Sequence, residues 1–431
     1  MRNFFSKLHL WLSVPFGLVI TVTCFSGAML VLEKEITDVY YDDLIDVEPS
    51  GQPLSLDVIA EKVNYDCQAG AEISGFVLSG DDEKAYKLNF SKPKRTTLYV
   101  NQYTGAVNGE YSRLPFFRSM LRLHRWLMDN NPGRGSVFFG KMIVGASTLA
   151  FVVLLVTGIV LWWPCNRKML KNRLRVAVGK GKNRFWYDLH VAGGFYALFF
   201  LLAMALTGLT WSYKWYSKGF YTLLGAGDGA TKSLVEKIEP QKSSGADSVG
   251  AAANIDGTTG ATSSPAYSVI DATTGATAQV GVDALTSATQ KSETVDGTSG
   301  ATSLSSVVKY SPYTAWNKAL KNVLERYPEY SQITVGDGTI TVQLNHFGNQ
   351  RASDRYTFDT ANGDLKTVQY YCNNSNLSRM RGLVYSIHVG SWGGIATKVL
   401  YFFVAILGAS LPLTGYYLWI RRLYIKRKKN K

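Results

Sequence analysis

The chain contains only four cysteines, and none of them forms a CxxC or CxxCH motif: Cys24, Cys67, Cys165 and Cys372. This spacing indicates no zinc site, no c-type haem and no disulfide framework. A single bridge between Cys67 and Cys372 stays open, without support from the sequence. Histidine is almost as scarce, with five residues in a chain of 431, so each histidine can be considered individually.

Charged residues are rare in several long apolar runs. Apolar residues make up 46% of the chain, yet its mean hydropathy is only −0.02, so strongly apolar segments must alternate with ordinary polar domains. Hydropathy predicts four membrane spans, at about 11–32, 142–163, 193–211 and 399–420. The first run begins like a signal peptide, but it is too long and lacks a small-residue cleavage pattern. We therefore interpret it as an anchor in the lipid bilayer.

Basic residues mark one side of the predicted membrane. They precede the first span, fill the loop at 165–184 between the second and third spans, and end the chain at 423–431. The positive-inside rule therefore predicts that this loop and both termini face the cytoplasm, with residues 34–140 and 217–398 outside. Much of the net charge of +14 belongs to these basic segments, which orient the chain in the membrane. The charge therefore gives no argument for nucleic-acid binding.

The spacing of several residues indicates a duplication of one unit, consisting of a span, an outer domain and a second span. In spans one and three a histidine precedes a small polar-glycine pair by 17 residues: His9 before Ser26-Gly27 and His190 before Thr207-Gly208. In spans two and four a lysine precedes such a pair by 16 residues: Lys141 before Thr157-Gly158 and Lys398 before Thr414-Gly415. Because small residues let helices approach closely in a bilayer, we interpret these pairs as packing points.

Each half also contains a short predicted helix followed by strands. In the first half the helix lies at 54–65, and three strand-like runs follow it. In the second half the amphipathic segment PYTAWNKALKNVLERY precedes three more runs, the last with an Asp-x-x-x-Gly turn. Such modules, nested between histidine-bearing spans, resemble the PepSY-associated transmembrane family of bacterial iron-uptake reductases. The resemblance covers about 1–224 and 305–431. It implies a bundle of four transmembrane helices with two extracytosolic α+β PepSY-like domains, in the bacterial cytoplasmic (inner) membrane.

Four of the five histidines lie at predicted membrane boundaries. His9 and His190 enter spans one and three from the cytoplasmic side, while His124 and His388 precede spans two and four on the outer side. Two ligands at each face are what two six-coordinate b-type haems require, with neutral imidazole as the axial ligand. We expect His9 to pair with His190, and His124 with His388. The alternative is two independent interfacial histidines at each face. The fifth histidine, His346, lies within a predicted strand and is interpreted as a surface or packing residue.

Residues near these histidines are further candidates for haem contact. Gly193 and Gly194 follow His190 by three and four residues, so they fall on its helical face and leave room for a flat group. Arginines near the outer histidines suit haem propionates, with lipid phosphates as the alternative partners. These are Arg118, Arg122, Arg125, Arg379 and Arg381.

A stretch rich in Gly, Ala, Ser and Thr at 225–308 interrupts the duplicated pattern. Its composition predicts a flexible linker, but the motifs DGTTGAT, DATTGAT and DGTSGAT recur in it, at 256–262, 271–277 and 296–302. They resemble the sequence at which a bacterial flavin transferase esterifies FMN, through its phosphate, onto the final threonine. The resemblance implies up to three covalent FMN groups, on Thr262, Thr277 and Thr302, in motifs that open with Asp256, Asp271 and Asp296. In a fourth copy Ser287 replaces the glycine, which leaves Thr289 undecided.

These interpretations divide the chain into successive segments. They are span 1 at 1–33, PepSY-like domain 1 at 34–112, an interfacial helix with span 2 at 113–164, a cytoplasmic basic loop at 165–184, span 3 at 185–216, the linker with flavinylation motifs at 217–308, PepSY-like domain 2 at 309–378, an interfacial helix with span 4 at 379–422, and a cytoplasmic basic tail at 423–431.

Two functions of different classes fit this organisation. The first is an electron-transfer oxidoreductase that combines a cytochrome b with a flavoprotein. A cytoplasmic or quinol donor would reduce the inner haem, and the outer haem and tethered FMN would pass electrons to an extracytosolic acceptor such as a ferric siderophore or a partner reductase. The second is a non-redox anchor whose PepSY modules bind or inhibit other proteins. The histidines favour the first, because an anchor needs no ligand pair at each face.

Overall fold

The computed structural model describes residues 1–66, 71–93, 96–130, 138–227, 235–238 and 312–429. Cys67 and all three flavinylation motifs, with Thr262, Thr277 and Thr302, lie outside the described residues. The Cys67–Cys372 bridge therefore stays open, and the covalent FMN groups stay predictions.

The described chain is mostly helical at its two ends and in its middle. In chain order the helices are α1 (Arg2–Val31), α2 (Glu33–Tyr40), α3 (Asp42–Ile45), α4 (Leu56–Asp66), α5 (Pro115–Trp126), α6 (Phe139–Trp162), α7 (Arg167–Arg173), α8 (Lys182–Asp188), α9 (Gly194–Ser212), α10 (Lys214–Leu223), α11 (Pro312–Leu324), α12 (Asn376–Val389) and α13 (Gly394–Lys429). The strands are β1 (Glu72–Ser79), β2 (Tyr86–Lys92), β3 (Thr97–Val100), β4 (Val107–Tyr111), β5 (Glu236–Lys237), β6 (Gln332–Gly336), β7 (Thr339–Gln343), β8 (Ser353–Phe358) and β9 (Leu365–Gln369).

Within the described residues, four helical segments are long and apolar enough to cross a membrane, which confirms the predicted spans. They are α1, α6, the continuous segment Lys182–Ser212 and α13. The third segment joins α8 to α9 through a π-helical turn, Leu189–Gly193. It begins well before the hydropathy prediction, because Lys182, Asn183 and Arg184 are helical yet too polar to register as a span.

The four spans pack side by side as a closed ring, in the order α1, α6, α9 and α13. The Tyr416 hydroxyl donates to the Val14 carbonyl at 2.7 Å, and the Thr21 hydroxyl donates to the Ala409 carbonyl at 3.0 Å, so α1 and α13 are antiparallel. The bundle interior is apolar, with side chains from all four helices: Ile20, Phe151, Leu154, Leu155, Leu201, Val404 and Leu411. We call the end that carries the 165–184 loop the basic end, and the end that leads to the strands the sheet end.

All the strands belong to one antiparallel sheet, in the order β4-β3-β2-β1-β6-β7-β8-β9-β5. The two predicted PepSY-like domains are therefore joined: β1 from the first half pairs with β6 from the second, with Phe76 opposite Val335 and Leu78 opposite Ile333. Two separate modules would each leave an unpaired strand edge here, and pairing β1 with β6 satisfies both sets of backbone groups.

Helices α4 and α11 share one core with this sheet. The Asn317 side chain of α11 accepts a hydrogen bond from the Leu56 backbone amide at the start of α4, at 2.7 Å, and donates to the Asp57 carboxylate. Phe76 of β1 is fully buried, and its ring centre lies 6.1 Å from that of Trp316 in the other half. The halves are therefore bound together outside the bundle as well as within it.

Candidate functional site

Two histidines face each other near the basic end of the bundle. His9 on α1 and His190 in the π-helical turn have ring centres 6.4 Å apart, with ring planes at 89°. Helices α1 and α9 lie diagonally across the ring of spans, so the two side chains meet between helices. A π-helical turn inserts one extra residue, and such turns occur frequently at functional sites.

A second pair lies at the sheet end. His124 on α5 and His388 on α12 have ring centres 6.1 Å apart, with ring planes at 52°. Each helix ends within three residues of its histidine, at a residue of positive φ: Leu127 at 50° and Gly390 at 73°. Helix α5 packs on α1 and α6, and α12 packs on α9. The structure thus brings together both expected pairs of histidines.

The Nδ1 atoms of three of these histidines bond to backbone carbonyls of neighbouring spans. The pairs are His124 with Thr23 at 2.8 Å, His388 with Met204 at 3.0 Å and His190 with Leu411 at 3.1 Å. Because a carbonyl oxygen only accepts, Nδ1 carries the proton in each ring. The Nε2 atom therefore keeps its lone pair, which is the state needed for a metal ligand.

His9 has the same tautomer, but its Nδ1 bonds to a hydroxyl group. Its Nδ1 lies 2.8 Å from Oγ1 of Thr157, and that hydroxyl already donates to the Leu154 carbonyl at 3.0 Å. The proton between His9 and Thr157 therefore sits on Nδ1. Thr414 has the equivalent place beside His190, at 2.9 Å, and donates in the same way to Leu411.

The small polar-glycine pairs lie next to the histidine rings. The glycine lies one turn after the carbonyl that holds each ring, on the same helix face. A methyl group added at Gly27 would lie 2.8 Å from Cε1 of His124, and one at Gly208 would lie 3.1 Å from Cε1 of His388. At Gly158 and Gly415 the corresponding distances to His9 and His190 are 3.8 and 3.6 Å. Our interpretation of these pairs as helix-packing points was therefore incomplete, although their regular spacing was the available signal.

The separation within each pair fits one metal ion held between two Nε2 atoms. A metal–imidazole bond is about 2.0–2.1 Å long. In a five-membered ring with bonds of about 1.33 Å, each nitrogen lies about 1.1 Å from the ring centre. Two such bonds in line place the ring centres about 6.3 Å apart, close to the observed 6.4 and 6.1 Å.

Each histidine pair offers two protein ligands for a metal ion. Within the part of the chain that the structure describes, no group of three or more His, Cys, Asp or Glu side chains could hold a metal ion. Haem iron needs only the two axial positions filled by the protein. Two facing imidazoles with protonated Nδ1 atoms, next to glycines, are compatible with the two axial ligands of a haem iron.

The two pairs lie near opposite ends of the spans. On α1, His9 is 14 residues from Thr23, whose carbonyl binds His124. At about 1.5 Å per residue this corresponds to roughly 21 Å along the helix, within a hydrocarbon layer of about 30 Å.

Other predicted contacts are placed differently. Gly193 and Gly194 face Leu407 and Leu411 of α13, at 3.1 and 3.6 Å from an added methyl group, so the expected space for a flat group beside them is filled by leucine. His346 is exposed and packs on the Tyr371 ring, as interpreted from the sequence, but it lies after the end of β7 and not within a strand.

Four of the arginines proposed for haem propionates have partners in the chain, including Arg125 over the Trp126 ring, and the propionate contacts stay a prediction. Arg118 donates to the Arg113 carbonyl, Arg122 donates to the Met128 carbonyl and the Asn130 side chain, and Arg379 lies over the Tyr371 ring.

One neighbour of the second pair was not found from the sequence. The Trp211 ring at the end of α9 lies 5.0 Å from the His388 ring, and 41% of the residue is exposed. Tryptophan is common at the ends of membrane spans, so its position in the sequence alone did not distinguish it.

Four apolar helices that surround two facing histidine pairs, with an antiparallel sheet at one end, define a multi-pass membrane protein with two candidate cofactor sites. The PepSY-associated TM region family matches residues 6–422. The chain therefore belongs to this family. No curated protein matches the chain.

Proposed function

We propose that this protein is a transmembrane electron-transfer oxidoreductase with one b-type haem at each histidine pair. The observation that carries the proposal is the geometry of the pairs. Ring centres lie 6.4 and 6.1 Å apart near opposite ends of the spans, and every Nδ1 is engaged by a neighbouring span. A single pair of histidines would suit a role in packing helices together. Packing alone does not explain two repeat-related pairs.

The side chains of the two sites have defined roles in this proposal. Bound haem supplies one-electron redox chemistry. His9 and His190 hold the haem at the basic end, and His124 and His388 hold the other, each through Nε2. Hydrogen bonds at Nδ1 fix the ring orientation and raise the basicity of the ligand nitrogen.

The orientation of the bundle follows from the charge distribution along the chain. We infer that the basic end faces the cytoplasm of a bacterium, because the basic segments cluster there. A cytoplasmic donor or a quinol would reduce the first haem. The acceptor, a ferric siderophore or a partner reductase, would then lie on the side of the PepSY-like sheet. After maturation by a flavin transferase, FMN on Thr262, Thr277 and Thr302 would carry electrons onward.

The test of this function is the haem content of purified histidine variants. The unsubstituted protein should show a b-type spectrum and release two haems into acid acetone, because no CxxCH motif tethers them. His9→Ala or His190→Ala should remove one haem, and His124→Ala or His388→Ala the other. His346→Ala is the matched control, since this exposed histidine faces neither pair. A well-folded protein without haem would favour the non-redox anchor.

A further inference from the structure

A cleft of about 270 Å³ opens at the sheet end of the bundle, beside the second histidine pair. Residues from α6, α9, α10 and α12 line it, together with Ala226 and Gly227 after α10. Small-molecule pockets have volumes of about 300–1,000 Å³. The cleft is therefore large enough for a charged group and part of the molecule that carries it.

The described lining of this cleft is strongly positive. It includes Lys141, Lys214, Lys218 and Arg381, and none of the described lining residues is acidic. Lys141, Lys214 and Arg381 have no hydrogen bond or ion pair with another described residue. Cations gathered from separate elements repel one another, and the described lining supplies no carboxylate to Lys141, Lys214 or Arg381, so an anion that binds among these three is favourable.

Among the described residues, the two repeats differ in the counter-charge at one equivalent lysine. Lys398 occupies the position in the second repeat that Lys141 occupies in the first. The Lys398 ammonium lies 2.6 Å from the Glu35 carboxylate, and its side chain is 11% exposed. Lys141 has no such pairing with a described residue and lines the cleft instead. The repeats therefore differ at the point where an external anion would bind.

Trp211 connects the cleft to the histidine pair. It lines the cleft, and its ring lies 5.0 Å from the His388 ring. An aromatic face of this kind can stack on a planar ligand. Tyr221, also in the lining, is buried, so it shapes the wall of the cleft.

We propose that this cleft binds a small planar ligand through its phosphate group, with Lys141, Lys214 and Arg381 on the phosphate and Trp211 against the ring. Three cations suit a doubly charged phosphate ester, because charge-assisted hydrogen bonds are stronger than neutral ones. That the ligand is the electron acceptor rests on the proposed function. In that role it would take one electron from a haem held by His124 and His388, with no bond made or broken.

The binding test compares FMN with riboflavin, which lacks the phosphate. The full chain, expressed without a flavin transferase, is placed in nanodiscs of phosphatidylcholine and titrated by equilibrium dialysis. We expect FMN to bind at least about tenfold more tightly than riboflavin, since hydrogen bonds to charged groups contribute more than neutral ones. Inorganic phosphate should compete with FMN. Equal affinities for FMN and riboflavin would overturn the proposal.

Substitutions then assign this preference to the cleft. The triple variant Lys141→Gln, Lys214→Gln, Arg381→Gln should bind FMN and riboflavin alike. Lys141→Gln alone should weaken FMN binding by a smaller factor, which keeps the test decisive if the triple variant folds poorly. Lys321→Gln is the control, because this exposed lysine of α11 lies outside the cleft. Unchanged FMN binding in folded K141Q and triple variants would contradict the assignment.

A lipid headgroup has the same phosphate chemistry, so a second arm uses nanodiscs that contain phosphatidylglycerol. If the lipid abolishes FMN binding, and the triple variant no longer retains the lipid, the cations serve the membrane and the proposal fails. Persistent FMN binding supports a soluble ligand. Both arms are independent of haem. A chain that binds FMN here but no haem would end the electron-transfer function and leave the cleft assignment standing.

Discussion

At the scale of single residues, Thr157 and Thr414 are hydrogen-bond partners of Nδ1 in the two histidines at the basic end. Each hydroxyl accepts a hydrogen bond from an imidazole and donates one to a carbonyl one turn earlier. The histidines themselves were identifiable from position and number. Their Nδ1 partners were not, because a hydrogen bond across 148 residues depends on how the helices pack.

Thr157→Val should weaken the haem site at the basic end, because it keeps the side-chain shape and removes the acceptor for His9 Nδ1. Loss of a partner of this kind typically costs about 10- to 100-fold in metal affinity. The measurement is haem occupancy, together with a redox titration of the remaining haem. Thr157→Ser should restore both. Thr148→Val is the control, since its hydroxyl bonds only within α6. Equal occupancy in T157V and T148V would argue against the role of Thr157.

Gly27→Ala and Gly158→Ala should have different effects, although both place a methyl group beside a histidine. At Gly27 the methyl would lie 2.8 Å from His124, which forces the ring to move, whereas 3.8 Å at Gly158 is ordinary contact with His9. We expect the first variant to lose the sheet-end haem and the second to keep both. Haem stoichiometry measures the difference, and equal losses would refute this steric argument.

At the scale of elements, the strand pattern was readable but the pairing of strands was not. Alternating burial in β6 and β7 follows the apolar alternation of the sequence. Local alternation identifies a strand without its neighbour, and the contact of β1 with β6 joins segments some 250 residues apart in the sequence. Two modules were therefore expected where one continuous sheet exists. The π-helical turn at His190 was equally hidden, because one inserted residue hardly changes helical periodicity.

Phe76→Ala should destabilise both halves of the sheet together. Phe76 is fully buried in the core shared by α4, α11 and the strands, and truncation of a buried Phe costs about 3–5 kcal/mol. Hydrogen exchange should therefore accelerate in β2 and in β7. The matched control is Phe347→Ala, because this side chain is 79% exposed and surface changes usually stay within about 0.5 kcal/mol. Acceleration confined to the first half would indicate two independent modules.

At the scale of the whole molecule, the duplication seen in the sequence becomes a two-fold arrangement. The repeat-related histidines face each other in both pairs, and the repeat-related strands β1 and β6 pair at the centre of the sheet. Sequence spacing was sufficient to predict the repeat and the histidine partners. The asymmetric features depend on single side chains, such as the pairing of Lys398 with Glu35.

Covalent flavin should be detectable on the intact chain. Coexpressed with a flavin transferase, the protein should give a fluorescent band on a denaturing gel, because a phosphoester survives denaturation while bound FMN washes away. Its mass should rise by up to three FMN units. Replacing Thr262, Thr277 and Thr302 with Val should abolish the fluorescence and leave the haem spectrum unchanged. An unlabelled chain, from cells that label another acceptor, would leave a protein with haem alone.

Because of the two-fold arrangement, neither half of this chain contains a complete histidine pair. His9 and His124 come from one repeat, His190 and His388 from the other, and each pair takes one from each. A polypeptide of half the length could build both sites by self-association about the same axis. The present chain in this sense resembles a tethered dimer whose two copies need not be identical, since Lys398 pairs with Glu35 whereas Lys141 lines the cleft.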